Sequence, residues 1–493
     1  MTAGFARVLH AEWTKFTTVR AWVTGTVTAA LMLVLFALLA GISSDQKGSP
    51  PVPTGPGGEP VADSFYFVHR PLTGNGSITV SVSALDSSIP EGPGELRPGT
   101  VPWAKAGLII RRSTRQGSPY AAIMTTGSHG VRMQDSYVND TAGPPGPASA
   151  RSVRRLRLDR AGDTITGYTS ADGTHWTTVG TTHVSGLGPT PQAGLFVASP
   201  PVADGMGTAG TVSTSVFGDL RVRGAGGRWT GDQVGAGSPS FAGYPAGRSG
   251  SYTESDGLFT VTGAGDIAPA VRDTLPAGGT LGDILTGTFA ALVAVIVVGA
   301  LFVTTEYRTN LIRTTLAAAP KRTHVLMAKA IVLGGVTFAA GLTGTLVAGP
   351  LGEHLARANG VYIFPVTSST GLRVALGTAA LLATASVLAL SAGTILRHGA
   401  GAVTAVTVAV VLPYLLTVIP FVPASTANRL TRVTPAAAFA VQQTLVPHHQ
   451  VTGNYTPYNG YWPLPPWAGF AVLAGYTAVS LSAAAVLLRR RDA

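Results

Sequence analysis

Residues Ala21–Ile42 read AWVTGTVTAALMLVLFALLAGI, a run of 22 residues without a charged side chain. A helix of about 20 apolar residues is long enough to cross the hydrocarbon core of a bilayer. Five further runs of the same character follow in the second half of the chain, at Ile284–Thr305, Ala330–Leu351, Val374–Leu396, Ala400–Val422 and Ala468–Leu488. The sequence therefore predicts an α-helical membrane protein with six transmembrane helices.

The composition fits this prediction. Charged residues make up 12% of the 493 residues, about half the share in ordinary globular proteins. Residues 43–282 hold 18 basic and 18 acidic residues, so the rest of the chain is nearly uncharged between short basic clusters. A net charge of +11 is also found in nucleic-acid binders. Here the surplus lies beside the apolar runs, where membrane topology explains it, and we expect no nucleic-acid partner. Arginine outnumbers lysine 29 to 5, which is typical of GC-rich bacterial genomes.

The basic residues of the short loops predict the orientation. Twelve of them fall on the side of the N-terminus and four on the opposite side. Because basic residues are retained inside, both termini are expected in the cytoplasm and residues 43–282 outside the cell membrane. A cleaved signal peptide is the alternative interpretation of the first run. The basic leader of about 20 residues and the missing A-x-A site after Ile42 favour an uncleaved anchor.

The outer segment changes character along its length. Residues 43–60 form a linker rich in Pro, Gly and Ser, and residues 61–223 alternate short apolar strands with Gly-rich turns. That pattern predicts an all-β jelly-roll or sandwich domain, inserted between transmembrane helices 1 and 2. Residues 224–280 are a Gly/Ser-rich extension with one expected strand at Leu258–Thr262. The chain contains no cysteine, so disulfides cannot stabilise this domain.

Three stretches of the β segment resemble a concanavalin/laminin-G-like jelly roll: Trp103–Arg111 (WAKAGLIIR), the hairpins within Leu156–Trp176, and Ala193–Val197. In that superfamily the fold serves as a carbohydrate-binding module and as a glycosidase. Asp172 and Trp176 also resemble an Asp-box, a turn motif of sugar-acting β proteins. They are candidates for carbohydrate contact with a cell-envelope glycan. The alternative is that Asp172 only makes a turn and Trp176 packs beneath it.

Catalysis by this domain is not expected. A glycosidase needs two carboxylates about 5–10 Å apart, and no acidic cluster on one strand is visible in the sequence. No His/acid metal motif such as H-E-x-x-H occurs either. The basic strand around Arg155 and Arg157 suits either a solvated face or an acidic envelope ligand. We therefore assign no catalytic and no metal-binding residue.

The N-terminal residues 1–20 are predicted to form a cytoplasmic amphipathic helix. Its apolar stripe has helical spacing and consists of Phe5, Leu9, Trp13, Phe16 and Val19. The stripe is expected in the lipid interface, with the charged side chains of Glu12 and Lys15 in water. A simple positively charged leader is the alternative.

Residues 306–329 follow the second apolar run and read EYRTNLIRTTLAAAPKRTHVLMAK. Apolar positions between Leu311 and Ala319 lie on one side of a helix that Pro320 is expected to end. A second helix then leads into the third run. The sequence predicts a helix–turn–helix bracket on the cytoplasmic side.

Three motifs in this order resemble the permease subunits of type 2 ABC exporters: AEWTKF at 11–16, EYR with RTTL at 306–316, and RVTPAA at 432–437. In that family the bracket is the coupling helix that docks on the ATPase, and re-entrant helices precede the last span, here in the external loop 423–466. The resemblance implies that the ATPase-coupling residues are Glu306, Tyr307, Arg308, Arg313 and Thr314. Anchoring of the helix at the interface is the alternative role. The outer insert of over 200 residues departs from the family.

The chain contains no G-x-x-x-x-G-K-[ST] loop, so ATP is expected on a separate ABC ATPase subunit, and no cofactor on this chain. A second permease would complete a homo- or heterodimer. The predicted function is export of an amphipathic or hydrophobic substrate across the cytoplasmic membrane. An ion-coupled carrier usually needs buried charges at mid-membrane, which the runs lack. A membrane-tethered carbohydrate-binding or glycosidase-like envelope protein is the other alternative, although one span would anchor it.

Overall fold

The computed structural model describes residues 4–43, 45–48, 51–92, 95–204, 207–235, 250–275, 278–318, 321–419 and 422–490. The chain forms two compact units. The helical unit comprises Met1–Ser49, Ala277–Pro447 and Tyr455–Ala493, and the β unit comprises Pro50–Pro276 and His448–Asn454.

The helical unit contains eleven α-helices among its described residues. They are α1 (Phe5–Thr18), α2 (Arg20–Ile42), α3 (Leu281–Ile284), α4 (Thr288–Arg308), α5 (Leu311–Ala318), α6 (Arg322–Ala358), α7 (Ser368–Leu396), α8 (Gly399–Val410), α9 (Leu412–Thr417), α10 (Ala424–Val433) and α11 (Pro466–Arg490). Short 3₁₀ helices lie at Leu285–Gly287, Pro435–Gln442 and Pro457–Asn459, and Gly278–Gly279 pairs in parallel with Tyr362–Ile363.

Six helical segments are long and apolar enough to cross a membrane, which indicates a multi-pass membrane protein. They are Arg20–Ile42, Leu281–Arg308, Arg322–Ala358, Ser368–Leu396, Gly399–Thr417 and Pro466–Arg490. The third has 37 residues because the second arm of the predicted bracket continues into it without a break. The fifth ends at Thr417, before the predicted Val422, and is divided at Val411, just ahead of α9, whose second residue is Pro413.

Small residues let the central helices approach closely. The apolar windows of the second and fourth segments are 61% and 67% buried, against 28% or less for the first, fifth and sixth, so α4 and α7 form the centre. A Cβ placed on Gly299 of α4 would lie 2.3 Å from the carbonyl oxygen of Ser386 on α7. Ser386 Oγ also lies 3.0 Å from Thr337 Oγ1 on α6. Small residues on the facing helices therefore permit this close approach.

The β unit contains eighteen strands among its described residues. They are β1 (Val61–Asp63), β2 (Phe65–Gly92), β3 (Glu95–Gly99), β4 (Lys105–Arg111), β5 (Tyr120–Thr126), β6 (Val131–Asp135), β7 (Asn139–Ala142), β8 (Arg154–Ala161), β9 (Thr164–Ser170), β10 (Thr177–His183), β11 (Gln192–Ala198), β12 (Val202–Asp204), β13 (Gly207–Ala209), β14 (Val212–Ala225), β15 (Thr230–Val234), β16 (Ser251–Ser255), β17 (Leu258–Gly263) and β18 (Ile267–Pro269).

The strands build a β-sandwich- or barrel-like domain around the long strand β2. The first part of β2 pairs with β11 and β15, and its later part pairs with β8 and β14. The core consists of fully buried apolar side chains from β2 and from other strands of the sheet, among them Val80, Leu108, Ile123, Leu156 and Leu195. In chain order the strands follow α2 and precede the other five apolar segments, so the β domain is N-terminal to most of the helices.

The extension 224–280 holds more strands than the single one predicted. Leu258–Gly263 is present, and β15, β16 and β18 accompany it. All three are short. β16 consists largely of Ser and Thr and is mostly exposed at an edge, so it lacks the apolar alternation that identifies a strand. Residues 236–249 of the extension lie outside the described part.

The loop before the last span contains α10 and the 3₁₀ helix Pro435–Gln442. The Thr434 hydroxyl precedes the 3₁₀ helix and donates to the Leu430 carbonyl at 2.7 Å instead of capping it. The later segment His448–Asn454 belongs to the β unit. There His449 Nε2 lies 2.8 Å from an oxygen of Asp140.

Candidate functional site

Four charged side chains meet where α1, α4 and α6 come together. Glu12 and Lys15 lie one turn apart on α1, Glu306 lies in the last turn of α4, and Lys329 lies early in α6. Lys329 Nζ donates to Glu12 Oε2 and to Glu306 Oε1, both at 2.7 Å. Lys15 Nζ donates to Glu12 Oε1 at 3.0 Å and to Glu306 Oε1 at 3.2 Å. We call these four residues the charged cluster.

The charged cluster is largely buried and electrically balanced. The side chains of Lys329 and Glu12 are each 1% exposed, that of Glu306 is 10% exposed and that of Lys15 is 39% exposed. A buried charge without a partner costs several kcal/mol. Because two carboxylates face two ammonium groups, each charge can be buried only while the others are present.

Aromatic rings cover the buried side of the cluster. Lys329 Nζ lies 4.6 Å from the centre of the Phe302 ring, which attracts the ammonium through its π face. Phe16 of α1 packs edge-on against Phe302, with ring centres 5.6 Å apart. These apolar neighbours keep the local dielectric low and so strengthen the ion pairs.

The cluster also reaches α5, the first helix of the predicted bracket. Lys15 Nζ donates to Thr315 Oγ1 at 3.2 Å, and the Thr315 hydroxyl donates to the Leu311 carbonyl at 3.0 Å. Beside it, Ile312 of α5 is 4% exposed and packs in a small apolar cluster with Val8 of α1 and Val325 of α6. One side chain of α1 therefore contacts α4 and α5 together.

Lys15 is held in its charged form. Burial alone would lower the pKa of Lys15, but the carboxylates of Glu306 and Glu12 outweigh this effect and raise the pKa above its ordinary value. The second carboxylate oxygen of Glu306, Oε2, is buried and has no hydrogen-bond partner among the described residues. The cluster thus retains one unused acceptor.

The predicted coupling residues have different environments. Glu306 belongs to the charged cluster, and Tyr307 is half-buried with its ring 5.2 Å from the guanidinium of Arg397, which follows α7. Arg308 and Thr314 are exposed. The backbone of the predicted coupling residue Arg313 lies in α5, and its side chain is outside the described part, as are the predicted helix end at Pro320 and Ala319.

The expectation that all charges of the N-terminal helix lie in water is wrong for Glu12. Glu12 is on the face of α1 that packs against α6, where Lys329 neutralises it. Phe16, predicted in the lipid interface, is 1% exposed and packs inside the protein. Trp13 is 48% exposed, as an interfacial side chain would be. Part of the apolar stripe of α1 therefore packs inside the protein, and another part of it is exposed.

Sequence reasoning missed Lys329 and Thr315 as members of the site. Lys329 was counted only as a topology signal, although it stands alone in the apolar stretch VLMAKAIV at 325–332. A single lysine in such a helix requires a buried acid, and Glu12 and Glu306 are among the few acids outside the β segment. That combination is the signal that could have identified the pair.

The candidate carbohydrate residues of the β domain have a turn-forming role in the structure. Asp172 Oδ1 accepts from the backbone N–H groups of Thr174 and His175, both at 2.8 Å, and Oδ2 lies 2.6 Å from His175 Nδ1. The hydrogen bonds from His175 and Thr174 hold the pKa of Asp172 well below its ordinary value. Trp176 is half-buried beside this turn.

The arginines of β8 serve the domain itself. Arg155 Nη1 donates to the Ala171 carbonyl at 2.7 Å, and Arg157 forms a two-pronged pair with Asp159 at 2.6 Å. These contacts favour the solvated-face interpretation of the basic strand. Among the described residues, there is no group of three or more His, Asp or Glu side chains that could hold a metal ion.

Comparisons with known proteins give little further information. No family model matches the chain, and no curated protein is significantly similar to it. Among solved structures, it is similar to scytalido-glutamic peptidase with a transition state analog inhibitor, at 8% identity over 41% of this chain and 98% of that chain, with a TM-score of 0.28. A functionally unknown protein from Saccharomyces cerevisiae matches at 12% identity over 33% of this chain and 76% of that chain, with a TM-score of 0.22. The GH43 BlXynB protein from Bacillus licheniformis matches at 17% identity over 30% of this chain and 27% of that chain, with a TM-score of 0.21.

Proposed function

We propose that this chain is the membrane-spanning permease subunit of an ATP-driven exporter similar to the type 2 ABC family. It would move an amphipathic or hydrophobic substrate across the cytoplasmic membrane. ATP would be bound by a separate ATPase subunit, and a second permease would complete the transporter. Both termini and α5 would lie in the cytoplasm, and the β domain would face the outside.

The observation that carries this proposal is the charged cluster. A subunit driven by an ATPase needs a cytoplasmic element that receives force and passes it to the membrane helices. Lys15 bonds to Thr315 of α5 and to Glu306 of α4, and Lys329 connects Glu306 to α6. A displacement of α5 would therefore act on the ends of the α4 and α6 spans at once.

The surface of this element is available to a partner. Arg308 and Thr314 are exposed at the end of α4 and on α5, next to the buried cluster. The unused oxygen Oε2 of Glu306 offers Lys15 a second acceptor at short range, so the cluster could exchange one bond for another when α5 moves. Such bistable contacts are what allow a small shift to become a discrete change of state.

The bundle interior suits an uncharged pathway. Away from the charged cluster, hydroxyl groups make contacts between spans, as in Thr337–Ser386 at 3.0 Å and Ser391–Ser480 at 2.7 Å. Proton- or ion-coupled carriers instead place ionisable side chains at mid-membrane. The hydroxyl-lined interior therefore favours an ATP-driven permease over an ion-coupled carrier.

The test is affinity purification of the full-length chain from its native cells, with mass spectrometry to identify a copurifying ABC ATPase. We expect wild-type chain to retain the ATPase in stoichiometric amount and Arg308→Glu to lose most of it, because the substitution reverses a charge on the exposed docking face. Arg357→Glu is the matched control, since Arg357 is also an exposed arginine near the end of a span helix but lies at the far end of α6. Retention of the ATPase by Arg308→Glu, or no ATPase with wild type, would contradict the proposal.

The proposed topology can be tested separately, because a chain without cysteine accepts single thiol probes. Ala150→Cys in the β unit should react with an impermeant maleimide in intact cells, whereas Ala317→Cys on α5 should react only after permeabilisation. Both positions are exposed. Labelling of both in the same compartment would refute the topology and the exporter together. Glycan hydrolysis by the purified chain would favour the envelope-enzyme alternative.

A further inference from the structure

An apolar groove of about 570 Å³ runs between α1 and α6, beside the charged cluster. Its walls come from two helical stripes, one on each helix, which include Leu9, His10, Trp13, Ile331, Gly335 and Ala339. All lining residues except His10 are apolar or glycine. The groove lies within the helical unit, at the junction of the N-terminal helix and the third membrane segment.

The groove is open rather than filled by the protein. A Cβ placed on Gly335 would meet no heavy atom within 4 Å. Trp13 and Ile331 on its two rims are both 48% exposed. Exposed apolar walls at the beginning of a membrane segment face lipid, so an apolar chain is the occupant that fits them.

The charges beside the groove indicate what kind of occupant fits. Arg7 and His10 are exposed one turn apart on α1, next to the apolar wall. The only acid on this helix, Glu12, is buried in the charged cluster and neutralised there. A ligand with a long apolar chain and a negatively charged head therefore matches both the walls and the rim.

We propose that this groove binds one acyl chain of an anionic membrane phospholipid, with the headgroup at Arg7 and His10. The small residues Gly335 and Ala339 provide the space for the methylene chain. The site depends only on membrane association and stands whether or not the chain is an exporter. Since α1 also carries Glu12 and Lys15, a lipid held here would fix the helix on which the charged cluster is built.

The test measures phospholipid retained per chain, by quantitative mass spectrometry. Purified full-length protein is equilibrated with detergent micelles that contain phosphatidylglycerol or phosphatidylcholine. We expect wild type to retain one phosphatidylglycerol after washing. Gly335→Leu should bind this lipid at least about tenfold more weakly, because excluding two methylenes of the acyl chain from the groove lowers the affinity by that factor. Gly475→Leu is the matched control, since Gly475 is an exposed glycine on α11 that also has no heavy atom within 4 Å of its Cβ position.

A second variant tests the headgroup. Arg7→Gln with His10→Gln should reduce the preference for phosphatidylglycerol over phosphatidylcholine while leaving the groove open. Equal retention by wild type and Gly335→Leu would overturn the proposal, as would equal retention of the two lipids by wild type, which indicates ordinary annular lipid only. If Gly335→Leu instead changes the oligomeric state and leaves the amount of retained lipid unchanged, a second copy of the chain covers the groove and the proposal fails.

Discussion

Replacing Lys329 by methionine tests whether the charged cluster holds the helical unit together. Methionine keeps an unbranched side chain over Phe302 but removes the charge that both carboxylates share. Glu12 and Glu306 would then face each other with Lys15 as their only remaining cation among the described residues. Because Lys15 is 39% exposed and bonds at 3.0 and 3.2 Å, it cannot replace two contacts of 2.7 Å.

The magnitude follows from the geometry. The two oxygens that bind Lys329 can be no further apart than twice 2.7 Å. At an effective dielectric constant of about 20, two unit charges at that separation repel by about 3 kcal/mol. Removing one partner of a buried ion pair typically lowers the free energy of unfolding by about 3–5 kcal/mol. We therefore expect Lys329→Met to lower the free energy of unfolding of the helical unit by a similar amount.

The assay is the melting temperature of the detergent-solubilised full-length chain, followed by size-exclusion chromatography. At roughly 3 °C per kcal/mol for a unit of this size, the loss should be about 10 °C. Lys321→Met is the matched control, since Lys321 is exposed before α6, and should leave the melting temperature almost unchanged. Adding Glu12→Gln to Lys329→Met should restore part of the loss, because it removes the repulsion. Equal melting of the two lysine variants, or no restoration, would refute the reasoning.

Two further predictions concern the packing of each unit. Gly299→Leu should prevent correct folding of the helical unit, seen as loss of the monodisperse peak in size-exclusion chromatography, because a Cβ at Gly299 would lie 2.3 Å from the Ser386 carbonyl oxygen. In the β unit, burial tends to raise the pKa of Asp140, but hydrogen bonds from Arg132, Gln134 and His449 lower it below its ordinary value of 3.8. A depressed carboxyl pKa stabilises the fold above the unfolded value and loses this contribution as the pH falls through the folded value. The melting temperature gap between wild type and Asp140→Asn should therefore be present near pH 7 and shrink below about pH 4; a gap that is independent of pH would contradict this.

The membrane segments and many strands could be predicted from the sequence because local patterns determine them. Uncharged runs such as Val374–Leu396 are expected to be helical in a bilayer. The stretches Trp103–Arg111 and Ala193–Val197, which carry the resemblance to a jelly roll, fall on the strands Lys105–Arg111 and Gln192–Ala198. The edge strand Ser251–Ser255 escaped prediction because its stability comes from pairing with β17 and hardly from its own side chains.

The charged cluster could be predicted only in part, because its members are distant in sequence. Lys329 and Glu12 are 317 residues apart, and neither position carries a local signal for the other. The motif-based prediction selected Glu306 for ATPase coupling, which stays a prediction. The amphipathic pattern of the N-terminal helix placed Glu12 in water, because such a pattern does not tell whether a polar side chain meets solvent or a buried partner. Thr315 carries no charge that would mark it in the sequence, yet its hydroxyl accepts a hydrogen bond from Lys15.

The unequal burial of the two lysines suggests how the proposed exporter would use the cluster. Lys329 is 1% exposed and bonds at 2.7 Å to helices on both sides, so separating it from Glu12 or Glu306 would leave a buried charge unpaired. Lys15 is 39% exposed, its bonds are longer, and water can replace them at little cost. A force on α5 would therefore change the Lys15 contacts first, while Lys329 keeps α1, α4 and α6 together. In this arrangement Lys15 can exchange its bonds as α5 moves, and the displacement reaches α1, α4 and α6 as one body.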